Sequence, residues 1–68
     1  MMYVAERKVN ATVFTDVEKT IERVITVTFT TCDYTVDGCR KTLNKKMKEY
    51  SANPFVKEVT PVSEHFAN

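Results

Sequence analysis

Glycine occurs once in this chain, at Gly38, and tryptophan does not occur. One glycine excludes the phosphate-binding loops, which need several glycines so that the backbone can close on a phosphate. Two prolines and a single glycine are too few for a disordered or low-complexity composition. Histidine also occurs once, as His65 near the C-terminal end. With only Cys32 and Cys39 beside it, no zinc-ligand spacing forms, and a Cys–His nucleophilic pair would lack a third group to orient the imidazole. No metal and no cofactor is expected. Two cysteines are too few for a disulfide scaffold, so a reducing cytoplasm with two free thiols is the expected setting. No apolar run approaches the roughly 18 residues of a membrane span. The start "MMYVAERK" lacks the basic-then-apolar pattern of a signal peptide.

What is present fits one small folded domain over residues 1–68, with 43% hydrophobic and 28% charged residues. A chain this short buries only about 60% of the surface its unfolded form exposes, so an oligomer or partner is a common source of added stability. Its carboxylates are scattered among lysines and arginines and do not pair as an acid and a base. A domain of this size also cannot readily enclose a ligand cavity of about 300 Å³. The expectation is a protein that is not an enzyme.

Residues 3–14, "YVAERKVNATVF", alternate with period two, which predicts a half-buried strand. Tyr3, Ala5, Val9, Ala11 and Val13 share a side, and Arg7 interrupts that row, as expected of its solvent end or of a sheet margin. Residues 21–32 repeat the pattern, with Ile21, Ile25, Val27 and Phe29 on one face and Val24, Thr26, Thr28 and Thr30 on the other. The short polar connector "TDVEKT" predicts an antiparallel hairpin.

The period then changes. Val36, Cys39, Leu43, Met47 and Tyr50 recur every three or four residues, which predicts an amphipathic helix over about 36–51. Thr35 suits the N-cap, Asp37 the positive helix end, and Tyr34 a hydrophobic staple on Cys39. Gly38 in the first turn reads as a blemish worth up to about 1 kcal/mol against alanine. Pro54 stops the helix. Residues 55–66 predict a third strand, with Phe55 and Val59 on one face and Val56, Val62 and Phe66 on the other. Pro61 cannot donate to a ladder and therefore belongs at an edge.

The order β-β-α-β predicts an α+β fold: a three-stranded antiparallel sheet, strand order 2-1-3, covered on one face by one helix. The helix is expected over Val9, Val13, Ile25, Val27 and Phe29.

The net charge of +1 is unevenly placed. Residues 37–50 hold Arg40, Lys41, Lys45, Lys46 and Lys48 against Asp37 and Glu49, whereas the segments on either side are each slightly acidic. At 100° per residue from Arg40, Asn44 lies near 40°, Lys48 near 80°, Lys41 near 100° and Lys45 near 140°. These five form a stripe opposite the apolar arc, and Lys46 lies beside that arc with its stem free to cover it. A solvated face is the commonest fate of such a stripe. The functional alternatives are a surface that steers an acidic protein partner and a nucleic-acid contact, with Arg40 or Asn44 at base edges.

The face carrying Val24, Thr26, Thr28 and Thr30, extended by Val56 and Val62, is a second candidate surface for dimer or sheet-face contact. It lacks the aromatic platforms of an RNA-binding sheet. In format, a stand-alone β-β-α-β domain without catalytic motifs resembles small phage-encoded proteins that bind and inhibit a host factor. The resemblance implies a non-enzymatic module, a homodimer, that occludes or bridges a protein partner.

Overall fold

The computed structural model describes residues 1–68 and has the order β1 (Tyr3–Phe14), β2 (Glu22–Asp33), α1 (Val36–Ser51) and β3 (Val56–Ala67). The three strands form one antiparallel sheet in the order β2-β1-β3, as the alternating pattern predicts. Strand boundaries for β2 and β3 fall one residue later than the sequence pattern places them.

The hairpin between β1 and β2 is built on Asp16. Its carboxylate accepts hydrogen bonds from the Thr20 and Ile21 amides at 2.8 and 2.9 Å and from the Thr20 hydroxyl. These contacts, the Thr20 hydroxyl first among them, hold the Asp16 carboxyl below its usual range. Lys19 takes the left-handed conformation at φ 59°, a position where an L side chain costs about 1–2 kcal/mol and glycine does not.

Thr35 caps α1, its hydroxyl accepting from the Gly38 amide at 3.0 Å. Tyr34 is 70% exposed, so the staple on Cys39 does not form. Cys39 instead lies under the helix with its thiol against the Tyr3 carbonyl at 3.8 Å. Gly38 is no blemish. A methyl group there would collide with the Asp33 carboxyl, which accepts the Thr35 amide at 3.2 Å. The glycine makes room for the residue that ends β2.

The inward face of β1 carries Tyr3, Ala5, Arg7, Val9, Ala11 and Val13, and cross-strand partners share a face. Ala5, Val9, Ala11, Cys39 and Leu43 are fully buried, and Tyr3, Phe29 and Phe66 pack around Ala5, Cys39 and Leu43. The Phe29 and Tyr50 rings meet edge to face at 5.7 Å.

The face assignment of β3 needs correcting. Register shifts between Lys8 and Val9 and between Thr12 and Val13 insert irregularities that break simple alternation. Val56 therefore pairs with Val13, Val59 with Ala11, Glu64 with Arg7 and Phe66 with Ala5, all on the helix side. Val56 does not extend the threonine face.

The helix is short for its sheet. Sixteen residues span about 24 Å, whereas a twelve-residue strand spans about 40 Å. The expected cover over Val13 and Ile25 is accordingly incomplete: Ile25 remains 40% exposed, and Ser51–Phe55 runs on to the Phe14 end, where Phe14 donates to the Phe55 carbonyl at 2.8 Å. The result is a slender plate of 47 × 17 × 12 Å.

Candidate functional site

Four hydrogen-bonding polar side chains from three elements meet on the helix side of the sheet, with Met47 and Phe66 beside them. Arg7 stands in the middle of the inward row of β1, with a side chain only 10% exposed. Its Nε and Nη2 donate to one oxygen of Glu64 at 2.9 and 2.5 Å, and its Nη1 donates to Asn44 Oδ1 at 2.6 Å. The Met47 sulfur lies 3.7 Å from the same nitrogen. Arg40 donates to the other Glu64 oxygen at 3.2 Å and lays its guanidinium over the Phe66 ring at 5.2 Å. The arginine hydrogen bonds, Arg7 first, hold the Glu64 carboxyl below the usual range against a smaller opposing effect of burial. No buried side-chain nitrogen or oxygen in the molecule is left without a partner.

This network changes the reading of two groups of residues. Arg7 is neither at the solvent end of its row nor at a sheet margin; it is the polar centre of the helix–sheet contact. Arg40 and Asn44 belong to the stripe by helical angle, yet each is engaged by the sheet. The long arginine of β1 reaches up to Asn44, and the β3 carboxylate reaches across to Arg40. A clue was present in the sequence: Arg7 falls in phase with Ala5, Val9 and Ala11, and a charge in the middle of an inward row requires a partner. Nothing in the spacing identifies that partner as Glu64, because the two are 57 residues apart and the β3 irregularities shift the register.

Lys46 is the other residue drawn inward. Its ammonium donates to the Thr30 backbone carbonyl of β2 at 2.7 Å. Lys41, Lys45 and Lys48 are what remain: all three are exposed, on the outer face of α1, with no acceptor within the molecule. At three- and four-residue intervals they form a ridge about 10 Å long.

The opposite sheet face carries Val24, Thr26, Thr28 and Thr30 beside Glu6, Lys8, Asn10 and Thr12 of β1. Thr26 bonds to Asn10 at 3.1 Å, and Glu6 pairs across β3 with His65. The face is polar and of mixed charge. Cys32 is exposed on it, whereas Cys39 is buried beneath the helix on the other side, where burial, followed by the Asp33 charge, pushes its thiol up. No concave pocket interrupts the surface, and no helix is long and apolar enough to cross a membrane.

Comparison with known protein families, with curated proteins and with solved structures finds no match to this chain.

Proposed function

We propose that the protein is a non-enzymatic binding module that docks on an acidic protein surface through the lysine ridge of α1 and occludes it. The observation that carries this reading is the division of labour along the helix. Arg40, Asn44 and Lys46 are each tied to the sheet by one hydrogen bond, whereas Lys41, Lys45 and Lys48 are left free on one line. A fixed row of cations steers an oppositely charged partner and sets its orientation more than it adds raw affinity. The Arg7–Glu64–Arg40–Asn44 contacts keep the helix from rolling, so the row has one orientation relative to the sheet. A flat surface without a pocket suits contact with another macromolecule better than capture of a small molecule.

Nucleic acid is the competing target for the same ridge. Its weakness lies in Arg40 and Asn44, the two side chains suited to base edges, because the Arg40 Nε is tied to Glu64 and the Asn44 Oδ1 to Arg7, which spoils two-point contact through either atom. Lysines alone give phosphate contacts without sequence readout.

Affinity capture from the native cell extract, with and without nuclease, separates the readings when wild type is compared with Lys41→Glu/Lys45→Glu/Lys48→Glu. The expected outcome is a nuclease-resistant protein partner, lost with the triple variant. Capture that disappears with nuclease assigns the ridge to nucleic acid, and capture unaffected by the substitutions removes the ridge from function.

A further inference from the structure

The two edges of the sheet are unlike. The β3 edge contains Pro61 and two register irregularities and carries Lys57, Glu58 and Glu64, the usual devices against strand pairing. The β2 edge has twelve residues paired without interruption to β1, no proline, and no charge between Arg23 and Asp33. Val24 is 69% exposed on it and Ile25 is 40% exposed. We propose that the β2 edge pairs antiparallel with β2 of a second copy about a two-fold axis at Thr28, giving a six-stranded sheet with both helices on one face. This proposal is independent of the lysine ridge.

Three observations select that register. A two-fold axis normal to the sheet places odd residues opposite odd and even opposite even, so both helices stay on the same face. Thr15 donates to the Ile21 carbonyl at 3.0 Å, so the odd residues of β2 bond to β1 and the even ones point N–H and C=O outward. The Lys46 bond to the Thr30 carbonyl agrees with that alternation, and the carbonyl keeps a second lone pair for an incoming amide. Finally, Arg23 and Asp33 lie at equal distances on either side of Thr28, share the helix face, and have no ion-pair partner within the chain. Centring the pair on Thr28 puts Arg23 opposite Asp33 of the second copy, twice by symmetry.

The same axis answers the short helix. The bare stretch around Ile25 comes to lie opposite Thr31 of the second copy, on the half of the sheet that the second helix covers. Because the β3 edge is guarded, pairing stops at two copies and does not extend into a fibre.

Sedimentation equilibrium of the full chain should give twice the 7.8 kDa chain mass. Arg23→Glu, which faces like charges across the axis, should weaken association at least about tenfold. Register is read with a bifunctional thiol cross-linker a few ångströms long in a Cys32→Ser background. Thr28→Cys should be joined into a covalent dimer, because the two Cα atoms stand about 5.5 Å apart. Thr26→Cys should not, because its two copies are about 14 Å apart. A single 7.8 kDa species up to about 1 mM overturns the proposal. So does equal or faster cross-linking through position 26, or association indifferent to Arg23→Glu.

Discussion

Leu43 is the largest fully buried side chain, in a molecule where only six of 68 residues are buried. Truncation to alanine should cost about 3 kcal/mol, a large share of the roughly 5 kcal/mol expected of a small domain, and urea denaturation measures it. Gly38 makes a sharper test, because helix propensity and packing act in opposite directions. Propensity alone has Gly38→Ala stabilising by about 1 kcal/mol. The Asp33 carboxyl above the glycine must swing aside and give up its bond to the Thr35 amide, which offsets that gain by about 1 kcal/mol, and the gain should return when Asp33 is also made alanine. The sequence shows Gly38 as a flaw only because its neighbour in space, Asp33, ends a different element. Leu43, Cys39 and Thr35 were legible as core and cap, since their roles depend on helical spacing alone.

At the scale of elements, the Arg7 network fastens α1 to β1 and β3. Arg7→Leu leaves Glu64 facing Arg40 alone and should lower stability by about 2 kcal/mol; Arg7→Leu/Glu64→Leu should recover part of that loss. A double-mutant cycle by chemical denaturation reads the coupling. Acid provides a second probe of the same contacts. The Glu64 and Asp16 carboxyls are both held below their unfolded values. Their contribution is complete above the unfolded carboxylate range and is lost as pH falls through the folded values. Thermal midpoints should therefore drop on acidification below about pH 4–5, and Glu64→Gln should flatten that limb. The helix was readable from the change of period, the hairpin from the short polar connector, and the strand order from the β-β-α-β sequence of elements. The facing of β3 was not, because each irregularity moves every later side chain to the other face, and irregularities leave no residue-type signature as firm as alternation.

The whole molecule is thinner than its length warrants. Its radius of gyration is 13.7 Å, against about 11 Å for a compact domain of this many residues. A plate of these proportions gains from a neighbour along its side, and association makes thermal stability depend on concentration. The melting midpoint should rise as protein concentration is raised and lose that dependence in Arg23→Glu. The ridge belongs to this scale too. Binding through Lys41, Lys45 and Lys48 should weaken with added salt, chiefly through a slower association rate. The local excess of positive charge was plain in the sequence, but which cations are free was not. That depended on Glu64 and on the Thr30 carbonyl, both brought to the helix by tertiary pairing.

The placement of β1 between β2 and β3 has a consequence for the order of events during synthesis. The central strand leaves the ribosome before the others, and its second neighbour leaves last. Until residues 56–67 have emerged, one side of β1 has no hydrogen-bonding strand and Arg7 has no carboxylate. The hairpin and helix can form early, but the sheet closes only across the 57-residue separation of Arg7 and Glu64, a non-local step that is intrinsically slow. The nascent chain thus leaves one side of its middle strand exposed at the stage when it is most open to mispairing, and completion of the C-terminal strand ends that exposure.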